Sequence, residues 1–187
     1  YYEKALAIRL EALGANHPSV ATTYNNMASV YNRQGDYAKA LEYYEKALAI
    51  RLEALGANHP SVATTYNNMA SVYNRQGDYA KALEYYEKAL AIRLEALGAN
   101  HPDVATTYNN MATVYDNQGD YAKALEYNEK ALAIRLEALG ANHPDVATTY
   151  NNMATVYDNQ GDYAKALEYN EKALAIRLEA LGANHPD

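Results

Sequence analysis

The chain contains no cysteine, no tryptophan and no phenylalanine. Without cysteine there is no disulfide framework, no thiolate metal site and no need of an oxidising compartment. Long apolar runs are missing too. None approaches the roughly 20 residues that cross a bilayer, so no membrane partner is expected. No signal-like start is present, and the first residue is Tyr1 rather than Met. The sequence therefore reads as a fragment or processed piece, with a cytoplasmic location as the expectation.

Positive charge is also in short supply: 16 Lys and Arg stand against 23 Asp and Glu, a net charge of −7. The deficit is uneven along the chain. In residues 43–84, Lys46, Arg51, Arg75 and Lys81 balance Glu45, Glu53, Asp78 and Glu84. In residues 127–168, Lys130, Arg135 and Lys165 face Glu129, Glu137, Asp145, Asp158, Asp162 and Glu168, a balance of −3. A nucleic-acid face needs Lys and Arg to neutralise phosphates, so no nucleic-acid partner is expected.

What the chain does have is repetition, with an offset of 42 throughout. Residues 1–42 and 43–84 are identical, 85–126 differs from 127–168 only at Tyr86 against Asn128, and 169–187 is a partial copy. One array over residues 1–187 is the expected organisation. The two kinds of copy differ at five positions: Tyr44, Ser61, Ser71, Asn74 and Arg75 against Asn128, Asp145, Thr155, Asp158 and Asn159. Those edits come in blocks, one type up to Tyr86 and the other from Asp103 onward. Copying from two parent units produces such a pattern.

Within a copy, Val62, Tyr66, Met69, Ala70 and Tyr73 recur at spacings of three and four, which predicts a helix over 60–76 with Pro60 in its first turn. Gly77 ends it, and Asp78 caps a second helix whose Tyr79, Ala82, Leu83, Tyr86, Ala89 and Leu90 form one stripe up to Gly98. A helix hairpin of this kind cannot bury both apolar faces alone. Neighbouring copies must stack, which makes the core continuous along the array.

Tyr66, Met69, Ala70, Tyr73, Gly77, Tyr79, Ala82, Tyr86 and Ala89 fall at the spacing of the tetratricopeptide repeat signature. The stretches "LGANHPDVATTYNNMA" and "KALAIR" resemble the 42-residue version of that repeat found in kinesin light chains and related bacterial proteins. The resemblance implies an all-α fold, a right-handed α-solenoid of stacked antiparallel helix hairpins. Departures are visible. Tyr66 and Met69 stand where the family more often has Trp and Leu, and Leu52 replaces a helix-ending proline.

On the polar side of the first helix, Thr64, Asn67, Ser71 and Asn74 recur at helical spacing. The resemblance implies that this side lines a concave groove for extended peptides. The candidate peptide-binding residues are Asn25, Asn26, Ser29 and Arg33; Asn67, Asn68, Ser71, Asn74 and Arg75; Asn109, Asn110, Thr113 and Asp116; and Asn151, Asn152, Thr155 and Asp158. An amide both donates and accepts, so a column of Asn can pair with a peptide backbone whatever its side chains. The competing reading is that these amides bond one another between repeats and only hold the stack. Arg33 and Arg75 against Asp116 and Asp158 suit a peptide of opposite polarity along its length, and drift for solubility yields the same pattern.

His17, His59, His101, His143 and His185 occupy one loop position. Donors about 2 Å from a metal cannot come from repeats a helix-packing distance apart, so they are expected to cap helices and no metal is expected. The 20 tyrosines are expected as core filling rather than base-stacking platforms. Asn128 and Asn170, replacing a stripe tyrosine, must be bonded or wet. No catalytic constellation, phosphate loop or cofactor motif is present, and pairs such as Glu84 with Lys88 are ordinary helix-surface neighbours. The chain is thus expected to be non-enzymatic, binding a protein or peptide. The alternative is a structural spacer or self-associating array, with end-to-end contacts through ends such as Leu167 and Leu174 that no further repeat covers.

Overall fold

The computed structural model describes the backbone of residues 2–181 and the side chains of residues 4–180; His185 and the end of the partial copy lie outside the described residues. Nine helices and no strand are found among the described residues. They are α1 (Tyr2–Leu13), α2 (Pro18–Gln34), α3 (Tyr37–Leu55), α4 (Pro60–Arg75), α5 (Tyr79–Leu97), α6 (Pro102–Asn117), α7 (Tyr121–Leu139), α8 (Pro144–Gln160) and α9 (Tyr163–Leu181).

Local chemistry sets each boundary. The first helix of every hairpin begins at a proline, whose missing N–H would have no partner there. The histidine before it is the cap. Nδ1 of His17, His59, His101 and His143 accepts from the backbone N–H two residues on, at 3.1 Å in each case. The loop-capping role expected of these histidines is the one they have.

Between the helices of a hairpin the chain reverses at a glycine. Gly35 takes a left-handed φ of 80°, which an L side chain would resist, and its N–H donates to Asn32 O while that of Asp36 reaches Tyr31 O. Asp36 then opens α3, its Oδ1 accepting from Lys39 N–H at 3.2 Å. The Lys39 ammonium, 3.0 Å from the same carboxylate, holds Asp36 below the usual carboxylate range.

By contact the chain forms two compact units, Tyr1–Ala96 and Leu97–Asp187. In the first, Val20, Ala21, Ala47 and Ile50 make a buried cluster against which Leu6 and Leu10 of α1 pack. Helix α2 is therefore covered by α1 as well as by its partner α3. A second cluster, Ala28, Ala40, Tyr44, Met69 and Val72, joins α2, α3 and α4 in the same way. In the second unit, α6 packs on α7, α7 on α8 and α8 on α9, with Val146, Ala147, Ala173 and Ile176 in one cluster and Leu132 of α7 against it. Consecutive hairpins thus share buried seams within each unit. Burying one Val or Met there contributes about 1.5–3 kcal/mol, and no isolated hairpin has that second face covered.

Ala70 and Ala82, placed by sequence at the close approach of two helices, are fully buried. Tyr44 and Tyr86 are buried as well, whereas Tyr66 and Tyr73 are only half-buried and pack on Tyr85, at ring distances of 5.8 and 5.2 Å. Lys88 then covers Tyr85, 4.7 Å above its ring.

The helix pairs also give the repeat its natural phase. Cut at 17–58, 59–100, 101–142 and 143–184, the first two modules are identical and so are the last two. The lone mismatch at Tyr86 and Asn128 disappears. Facing positions change together: Ser29 with Tyr44 and Ser71 with Tyr86 in one module type, Thr113 with Asn128 and Thr155 with Asn170 in the other.

Candidate functional site

Within each unit the first helices of successive hairpins touch, α2 with α4 and α6 with α8. Their polar sides meet edge to edge. In the first unit Asn68 donates to Asn25 Oδ1 at 3.1 Å. In the second, Asn159 Nδ2 reaches both carboxylate oxygens of Asp116, at 3.1 and 2.9 Å. The expected bonding of polar side chains between repeats is present, and amides and carboxylate retain further donor or acceptor capacity.

The remaining candidates divide by depth. Asn26, Arg33, Arg75, Thr113, Thr155 and Asp158 are exposed, and Asn67, Asn74, Asn110 and Asn152 are half-buried. Ser29 and Ser71 are half-buried, close to the hydroxyls of Tyr44 and Tyr86. Burial pushes both phenols up; the Ser29 or Ser71 hydroxyl and the nearby Arg75 guanidinium pull partly the other way. Thr113 and Thr155 instead donate to the backbone carbonyls of Asn109 and Asn151, at 3.1 and 3.0 Å.

Asn109 departs from its column. It is 5 % exposed, and its amide faces inward, donating to Asn128 Oδ1 at 2.7 Å and accepting from Arg135 and Thr149. A ligand in the groove has no access to those atoms. The cause is residue 128: a short amide replaces the tyrosine ring of the other module type, and it needs a partner inside. Asn151 also faces an arginine: with its amide turned so that the oxygen meets donors, it accepts from both terminal nitrogens of Arg177, at 3.3 and 2.6 Å.

Tetratricopeptide repeat is also the family whose sequence pattern matches the chain, in overlapping stretches at residues 1–53, 20–95, 61–137 and 103–179. The chain belongs to the tetratricopeptide repeat family. Among solved structures, BtubC (BKLC) from P. vanneervenii is 33% identical, with a TM-score of 0.79, covering 100% of this chain and 74% of that one. A Podosopora anserina putative kinesin light chain with nearly identical TPR-like repeats is 27% identical, at a TM-score of 0.72, over 97% of this chain and 86% of that one. Aspartyl phosphate phosphatase F from Bacillus subtilis shares the fold, with a TM-score of 0.81 at 19% identity, over 96% of this chain and 45% of that one. No curated protein matches the chain.

In this tetratricopeptide chain one class of residue does structural work that its charge conceals in the sequence. Arg51 is buried and its Nη1 donates to Ser61 O at 2.8 Å and Thr65 Oγ1 at 2.6 Å, tying α3 to the next hairpin's first turn. Arg9 and Arg135 do the same for Ser19 with Thr23 and for Asp145 with Thr149. Burial lowers the proton affinity of Arg51 and Arg135. The signal was available: Tyr44, Ala47 and Arg51 lie three and four apart, on the apolar stripe. No group of three or more His, Asp or Glu side chains suited to a metal, and no helix long and apolar enough to cross a membrane, is found among the described residues.

Proposed function

We propose that this chain is a non-enzymatic protein-interaction scaffold that holds an extended peptide or partner segment along the polar face of α2 and α4 and of α6 and α8. The family and its relatives support the scaffold. One observation carries the finer reading: the first helices lie side by side, and beyond the bond that Asn68 gives Asn25 the face keeps the second Asn68 N–H, its oxygen and the exposed Asn26 amide for a ligand. A peptide backbone is the chemistry such a face can pair with. Exposed Arg33 and Arg75 suit an acidic segment over the first unit, and Asp116 and Asp158 a basic one over the second.

Isothermal titration against a peptide library tests this, with Asn26, Asn68 and Asn152 all changed to Ala. These side chains are not buried, so the fold should survive. A ligand of the face should lose at least tenfold in affinity, and unchanged affinity removes the face.

A second reading, self-association, rests on α9. Leu167 is 64 % exposed and Leu174 55 % exposed, with Tyr163 and Leu178 beside them, while their counterparts Leu41 and Leu48 pack against the next hairpin's core. Sedimentation at rising concentration separates the two readings; a monomer throughout removes this one.

A further inference from the structure

The two module types differ most at one place. In the first unit the Tyr44 ring fills the space between α2, α3 and α4, against Ala28, Met69 and Val72. In the second unit the corresponding space is a pocket of about 150 Å³, lined by Ala112, Thr113, Asp116, Asn128, Asn152, Thr155 and Val156. Ala112, Val156 and Asn128 are buried and form its floor, while Thr113, Asp116, Asn152 and Thr155 stand at the rim on the candidate groove face.

The floor carries a directed donor. Asn128 is 1 % exposed, and its Oδ1 is committed to Asn109. Arg135 and Thr149 donate to Asn109 Oδ1, which fixes that amide and leaves Asn128 to present its NH2 to the pocket. That NH2 has no partner among the described residues. At the rim Asp116 is bonded by the neutral amide of Asn159 and by no cation among the described residues. In the other module type the same two rim positions are Asn and Arg, as in Asn32 and Arg75. One set of edits therefore removes a ring, exposes a buried donor and turns the rim acidic.

We propose that the pocket receives a tyrosine side chain from a partner peptide that carries basic residues beside it. The proposal rests on the scaffold reading and deepens it. Size admits a ring, since about 150 Å³ is room for a benzene-sized group, and the repeat itself fills the equivalent space with tyrosine in the other module type. The Asn128 donor argues for an oxygen at the tip: a phenol entering from the groove places its oxygen on the floor, where a phenylalanine would leave the NH2 unbonded. Asp116, with Asp158 on the same helix face one module on, argues for Lys or Arg on the stem.

Titration of the whole chain with the blocked peptide Ala-Lys-Tyr-Lys-Ala and its Phe and Ala analogues tests the pocket, and soaked crystals locate the ring. The tyrosine peptide should bind at least tenfold more tightly than either analogue, with its ring between Ala112 and Val156. The paired change Thr113→Ser with Asn128→Tyr installs the residues that Ser29 and Tyr44 already combine, so it should fold and abolish that preference. Asp116→Asn should weaken the Lys-flanked peptide severalfold and leave an Ala-flanked tyrosine peptide unchanged. Equal binding of the three peptides, no binding of any, or undiminished tyrosine preference in the paired variant overturns the proposal. Equal binding that is still lost when Asn26, Asn68 and Asn152 become Ala would overturn the pocket while leaving the scaffold standing.

Discussion

Asn109 donates to Asn128 across 2.7 Å inside the second unit, although the same column position in the first unit, Asn25, stays half-buried and pairs with Asn68 on a neighbouring first helix. One repeat position thus has two fates: Asn109 turns in toward the buried Asn128, while Asn25, beside Tyr44, and Asn151, beside the exposed Asn170, stay half-buried.

Replacing Asn109 by Ala leaves Asn128 and Arg135 each short of a buried partner. The expected cost is about 1–3 kcal/mol, read as a lower urea midpoint with an unchanged slope. Asn25→Ala, at a half-buried site, should cost less than about 0.5 kcal/mol. Equal losses at the two positions would contradict the inward role of Asn109.

Helix limits were legible because caps act locally. Pro60, the Gly77 turn, Asp78 and Gly98 lie within a turn of the ends they set, and α4 and α5 run as their spacing predicts. Stacking was legible because the stripes through Met69 and Tyr86 leave each hairpin with two apolar faces. The direction of Asn109 was not, since it depends on residue 128, nineteen positions away on another helix. Arg51 was hidden for a different reason. Its charge suggests a solvated surface, and only its place beside Ala47 reveals that a backbone carbonyl and a threonine hydroxyl take the place of a carboxylate.

The Arg51 contact is the basis of a coupling prediction. Arg51→Met keeps the buried stem and deletes the donors to Ser61 O and Thr65 Oγ1. Thr65→Val removes one acceptor. A double-mutant cycle should give a coupling of about 1.5–3 kcal/mol, as for a hydrogen bond to a charged group. A coupling near zero would mean that the arginine acts through its stem alone.

Refilling the second unit's pocket should stabilise it. In the Thr113→Ser, Asn128→Tyr variant a ring is buried where the pocket now lies, worth about 2 kcal/mol, against roughly 1 kcal/mol for the lost bond to Asn109. The net expectation is a gain of about 1 kcal/mol, measured by chemical denaturation. A loss larger than that would show that the space cannot take the ring as it does around Tyr44.

Alkaline stability should separate the module types. Tyr44 and Tyr86 are held neutral chiefly by burial, so their folded pKa values lie above the ordinary tyrosine value of about 10. The stability this contributes is fully present below that value and is lost as pH rises through the folded pKa, because the unfolded chain releases its protons first. Asn128 and Asn170 contribute nothing of this kind. Changing Ser29 and Ser71 to Thr together with Tyr44 and Tyr86 to Asn should therefore flatten the fall in melting temperature above about pH 10. Lysines such as Lys46 and Lys88, raised by their bonds to Glu42 and Glu84, lose stability with the same sign. They are present in both proteins, so they cancel in the comparison. Parallel melting curves across that range would show that the two buried phenols ionise without cost to the fold.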